Sequence, residues 1–227
     1  TRIDSLDITI LKGGGDEVGR WAKDNGFSLT PDAPEVLDFY AERSPVFMAA
    51  RFDPTAAAAD GQTVGDGTPV HLTIPTPDPW VPLRILGLGL GDKARVEADV
   101  FLLTDGVPEM LPGPYEAGDK GMVLERNELA STALLQDLRS DKGMGWIPAS
   151  DMWFSYLRID TTAGELKHDL AVDTTGVGSP SPVAAGLESP VRLPDLGDEG
   201  VSLWPWAIAL GIGALALGAS NYAWNRG

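Results

Sequence analysis

Cysteine is absent from the 227-residue chain, which excludes a disulfide framework, a thiolate metal site and a cysteine nucleophile. Histidine is nearly absent, with His71 and His168 alone. His71 alternates with Val70 and Leu72 in a short strand pattern, and His168 stands beside Asp169 in "LKHDL". A histidine–carboxylate metal site could be assembled only across space, and no catalytic, cofactor-binding or metal-ligating residue is assigned. No serine lies in G-x-S-x-G, and no acidic cluster has the alternating oxygens of an EF-hand. Positive charge is scarce too: 17 Lys and Arg face 33 Asp and Glu, a net charge of −16. Such a surface repels phosphates, which excludes nucleic acid as a partner and suits cations or a basic protein surface. A solubilising charge excess without a partner is the simpler reading of the same number.

Charge of either sign is missing from Val201 to Asn225. The run from Trp204 to Trp224, at about 1.5 Å per residue, spans roughly 30 Å, the thickness of one hydrocarbon core. Trp204 and Trp206 mark one end and Tyr222 and Trp224 the other, as two membrane interfaces would select. The pattern predicts a transmembrane helix over 201–225. Arg226 is the only charge beyond it, so the tail 226–227 is expected in the cytoplasm and the N-terminal domain outside, at the plasma membrane. Ala207, Gly211, Ala214 and Gly218 form a small-residue stripe along the predicted helix, suited to close packing against an integral membrane protein. A lone anchor without a partner would look the same.

Ahead of the tail the pattern is α+β, mainly an antiparallel sheet with a few short helices, over an expected extracytoplasmic domain 1–173. "SLDITIL" alternates as a strand, and "GGGDEVGRWAKDNG" turns into a helix ending near Gly26. The "GGG" resembles a phosphate cradle, but Asp16 and Glu17 would repel the phosphate, so a tight turn is expected. A second helix follows, with Val36, Leu37, Phe39 and Tyr40 as its apolar face. Strands are expected at 45–52, 69–75, 80–90 and 94–106, then a helix over 127–143. "MWFSYLRID" and "ELKHDLAVD" read as a final hairpin around "TTAG", and "GLGLGDK" as a hairpin turn. Residues 174–200, rich in Pro, Gly and Ser without periodicity, read as a linker.

The motifs "W-x-x-DNG", "F-x-A-x-R-F", "L-x-I-P", "P-x-R-I" and "V-F-L-L-T-D" resemble the bacterial domain-of-unknown-function 2330 family over about residues 6–160. The resemblance implies the C-terminal portion of an actinobacterial or other envelope precursor, with a membrane anchor, and a longer protein of which this chain is a later piece. No signal peptide is visible, which agrees with a processed chain or a fragment. The family carries no established catalytic or binding residue to transfer.

Two functions follow as expectations. One is a non-enzymatic, single-pass accessory subunit docked onto a larger membrane assembly, for which a respiratory complex would serve as host. The other is a tethered enzyme or ligand-binding module whose site needs an absent N-terminal half. Co-purifying chains would favour the first, and a phenotype of His71 or His168 substitutions without unfolding would favour the second.

Overall fold

Leu6, Ile8 and Ile10 alternate with shorter polar residues, and this pleat builds β2 (Leu6–Lys12). The computed structural model describes residues 2–190 except 4, 45, 60, 62–71, 116, 117, 119 and 142. Strand β2 pairs antiparallel with β1 (Arg2–Ile3) on one side and β3 (Val46–Phe52) on the other, with Leu6 opposite Phe52 and Lys12 opposite Val46. Between β2 and β3 the chain forms α1 (Gly15–Asp24) and α2 (Ala33–Ala41). At the start of α1 the Gly14 amide donates to Glu17 Oε2 at 2.9 Å. Glu17 therefore occupies a donor that a phosphate would need, and that amide holds its carboxyl below the ordinary range. In α2, Pro34 sits in the first turn, and Ala33, Val36, Leu37 and Tyr40 are buried. Phe39 is only half-buried, and its ring carries two guanidinium groups described below. A short α3 (Pro54–Ala59) follows.

The expected strand at 80–90 is reduced to β4 (Trp80–Val81), after which Arg84–Gly87 forms a 3₁₀ turn. Pro82 supplies no N–H to a ladder, so the strand cannot run on. Residues 72–75 of the expected strand at 69–75 are irregular, running into Pro75, Pro77 and Pro79, and 69–71 lie outside the described residues.

Two three-stranded antiparallel sheets make up the rest. One has β8 (Trp153–Thr162) between β5 (Arg95–Thr104) and β7 (Gly121–Leu129). The other has β9 (Leu170–Asp173) between β4 and β6 (Glu109–Leu111). Strands β8 and β9 thus belong to different sheets, joined by a 3₁₀ turn at Ala163–Glu165, where the sequence predicts a hairpin. Along β8, Ser155, Leu157 and Ile159 are buried and the residues between them are not. Leu157 and Ile159 meet Leu83, Leu170 and Val172 in the central core, each such burial stabilising by about 1.5–3 kcal/mol.

The helix expected at 127–143 is shorter. Residues 127–129 complete β7, and α4 (Thr132–Ser140) begins where Ser131 Oγ accepts the Leu134 amide at 3.2 Å. It buries Leu135 against Ile147 and Met152. Ser131→Ala removes this cap and is expected to cost about 1 kcal/mol in urea denaturation, with the core and its cooperativity unchanged.

The fold continues past residue 173. Ser181 caps α5 (Pro182–Ala185), whose Ala184 and Ala185 pack on Ala171, Trp80 and Leu111. Residues 174–190, which composition assigns to a linker, are therefore partly core.

The remaining expectations concern the C-terminal tail. Trp204, Trp206, Tyr222 and Trp224, and the stripe Ala207, Gly211, Ala214 and Gly218, lie outside the described residues. Among the described residues no helix is long and apolar enough to cross a membrane. The fold class is accordingly corrected to α+β, with antiparallel sheets and short helices and, among the described residues, no transmembrane helix. The single-pass topology, the plasma-membrane placement with an extracytoplasmic domain and cytoplasmic C-terminus, and docking onto a membrane assembly all lose their support with it. A basic protein surface as a partner rested on the net charge alone, which the fold does not test.

Candidate functional site: a groove above a buried carboxylate

Asp169 immediately precedes β9 and is completely buried. A carboxylate there is tolerable only with donors around it, and the fold brings them from two distant segments. Asp169 Oδ1 accepts from the Tyr40 hydroxyl at 2.9 Å and from the Leu83 and Arg84 amides at 2.9 and 3.0 Å. Oδ2 accepts from Arg43 Nη2 at 3.3 Å. The Tyr40 oxygen in turn accepts from the Ile85 amide at 2.9 Å. The Asp169 amide donates to the Ala185 carbonyl at 3.0 Å.

Asp169 therefore ties α2 and the 3₁₀ turn through its side chain, and α5 through its backbone amide, to the start of β9. The Arg43 guanidinium, also buried, lies 3.4 Å from the centre of the Phe39 ring, and Arg84 lies 4.3 Å from the same centre. Arg84 also pairs with Glu35. Burial pushes the Asp169 carboxyl above its ordinary value, opposed by the two amides, Tyr40 and Arg43. Burial likewise raises the Tyr40 hydroxyl, with the Asp169 charge adding to it, and lowers Arg43.

His168 faces the other way. It is exposed, and its Nδ1 lies 3.3 Å from the Gly186 carbonyl oxygen. A carbonyl oxygen only accepts, so this contact selects the Nδ1–H tautomer and leaves Nε2 as an acceptor. The side chain borders a groove of about 560 Å³. Leu83, Met122, Ile159, Leu166 and Pro112 give the groove an apolar floor, most of it continuous with the central core. Tyr115, Lys120, Thr161 and Glu165 share the rim with His168. The Tyr115 ring approaches Gly121 so closely that a Cβ on this residue, at φ +91°, would come within 2.8 Å of it. Only glycine fits there.

The rim's carboxylate is already engaged. Glu165 Oε2 accepts from the Thr161 and Thr162 hydroxyls at 2.7 and 3.0 Å and from the Thr162 amide at 3.2 Å. The Thr161 hydroxyl first, then these other donors, hold the Glu165 carboxyl below its ordinary range, with Lys120 adding to the effect. Asp160 is lowered chiefly by Arg95, with which it makes a two-pronged pair at 2.7 and 2.8 Å, and Lys120 contributes there too.

Among the described residues no group of three or more His, Cys, Asp or Glu could hold a metal ion. His71 lies outside the described residues. "GLGLGDK" follows the 3₁₀ turn and carries no phosphate-type helix start. The groove was not legible in the sequence, since its lining comes from segments up to 85 residues apart, Leu83 to His168, and only His168 stood out as a type. Asp169 carried one weak signal, an acid placed directly before the apolar run "LAV".

The chain is similar over residues 1–103 to a family described as "uncharacterized protein conserved in bacteria (DUF2330)". No curated protein and no solved structure matches it. The resemblance expected over 6–160 is corrected by this match, which covers the N-terminal end of the chain and ends within β5, and supplies no membrane anchor. Tyr40, Arg43, Leu83 and Arg84 fall inside the similar stretch, whereas Asp169 and every groove residue except Leu83 fall outside it.

Proposed function

We propose that the described domain is a non-enzymatic binding module whose groove takes a small uncharged ligand with an apolar body and one hydrogen-bond donor. The observation that carries this reading is the groove's apolar floor facing a histidine whose free nitrogen is an acceptor. Its volume is in the range of roughly 300–1,000 Å³ common for small-molecule sites. Lys120 already has Glu165 and Asp160 near it, so an anionic ligand would gain little there. The non-enzymatic part rests on how the acid–base groups are arranged. Glu165 is engaged by two threonines, Asp169 is sealed below, and the His168 Nδ1 meets a carbonyl rather than a carboxylate. General acid–base or nucleophilic work needs such groups paired and free to face a substrate.

The test uses 4-methylphenol and toluene, which differ by one hydroxyl donor, in calorimetric titrations. Wild type is expected to prefer 4-methylphenol by about three- to tenfold, the value of a net hydrogen bond of about 1 kcal/mol. His168→Phe is expected to erase the preference while keeping toluene binding. Equal binding of both probes by wild type, or a preference that survives His168→Phe, would sink the reading.

A further inference from the structure

Strand β3 is a seven-residue strand at the edge of its sheet. It pairs with β2 in unbroken register from Val46 to Phe52, without a bulge. Among the described strands nothing pairs with its other edge. On the face shared with β2, Val46, Met48 and Phe52 are 51, 41 and 56% exposed, and Ile10, directly opposite Met48, is 64% exposed. Edge strands of monomers are ordinarily guarded by a lysine, a proline, a bulge or a covering segment. Within β3 there is no proline, no lysine and no bulge. Its one charge, Arg51, lies on the opposite face, paired with Asp7 at 3.0 Å.

We propose that β3 pairs antiparallel with β3 of a second copy of this chain, extending the three-stranded sheet across a two-fold axis. The choice of occupant rests on charge and on self-complementarity. The chain carries −16 overall, so most of its surface resists meeting a copy of itself. Strands β2 and β3 carry Asp7, Lys12 and Arg51, a net charge of +1, and so do not share that negative excess. Full overlap of Val46–Phe52 with itself places the axis at Ala49. Val46 then faces Phe52, Met48 faces Ala50, and Arg51 faces the aromatic ring of Phe47, with no like charges opposed. The apolar rows of the two copies become continuous on one face, as an isologous interface requires.

Sedimentation equilibrium of the full chain over a concentration series tests this, together with thiol cross-linking. Wild type is expected to show a monomer–dimer equilibrium. Met48→Glu places two carboxylates on diagonal positions across the axis, roughly 7–8 Å apart. It is expected to weaken the dimer by tenfold or more, with unchanged circular dichroism because the side chain is exposed. The chain has no cysteine, so Ala49→Cys provides a single thiol that meets its own copy at the axis. It is expected to give a disulfide-linked dimer under mild oxidation, whereas Leu129→Cys, exposed at the far end of β7, is not. A monomer at every concentration would overturn the proposal. So would a dimer indifferent to Met48→Glu, or cross-linking no better at position 49 than at 129. These last outcomes would assign self-association to face-to-face stacking or to another part of the chain.

Discussion

Asp169→Ala is expected to destabilise the domain by about 3–5 kcal/mol, the cost of breaking a buried pair from one side. The loss is large because four donors converge on that carboxylate from Tyr40, Arg43, Leu83 and Arg84. Alanine leaves the Arg43 guanidinium buried without its counter-charge and two backbone amides without an acceptor. Asp169→Asn retains one oxygen for the amides and should fall between wild type and alanine. The pH dependence has a definite sign. The folded carboxyl lies above the ordinary 3.8 because burial disfavours its charge, so the folded state keeps this proton where the unfolded chain has released it. Stability from this group is therefore greatest below pH 3.8 and declines as pH rises through the folded value. Urea denaturation of wild type and Asp169→Asn across pH isolates that slope in the difference between them. A loss under 1 kcal/mol for Asp169→Ala at neutral pH would show that the tie contributes little.

Gly186→Ala is expected to cost about 2–4 kcal/mol, combining left-handed strain with overpacking. Gly186 ends α5 at φ +72°, and a Cβ there would overlap Cζ and Cε2 of the Phe39 ring. That ring cannot yield freely, because Arg43 and Arg84 rest on it. The substitution thus presses on the Asp169 tie from its α5 side. It also displaces the carbonyl that selects the His168 tautomer, so 4-methylphenol binding should weaken along with stability. Gly26→Ala is the control for strain alone, since this residue has a similar φ of +79° and open space where a Cβ would stand. Equal losses for the two substitutions would mean that contact with Phe39 contributes nothing.

Local pattern in the sequence reached as far as local forces do. The alternation of Leu6, Ile8 and Ile10 named β2, the "DNG" near Gly26 marked the end of α1, and "ARVEADVFLLTDG" became β5. The helix after residue 127 was placed too early, because apolar spacing did not reveal that Ser131 was the cap. The hairpin between β8 and β9 was misread for a deeper reason. Two adjacent strands and a turn suffice to suggest a pairing, but the preferred neighbours of β8 are β5 and β7, contacts that no short window contains. The stretch 174–190 read as linker because its burial falls on small residues, Ala184 and Ala185, whose composition resembles that of loops. The Asp169 tie was invisible because its partners lie 85 to 129 positions away.

Chemical-shift mapping by nuclear magnetic resonance, with 4-methylphenol titrated into the full chain, tests the binding reading most directly. The account predicts that the largest shifts fall on the Met122 methyl, the amides of Gly121 and Leu166, and the His168 ring. The His168 nitrogen resonances should report Nδ1–H throughout, with Nε2 moving as it accepts the probe's hydroxyl. Shifts confined to the exposed apolar residues of β2 and β3, or an unchanged His168 ring at saturating probe, would contradict it.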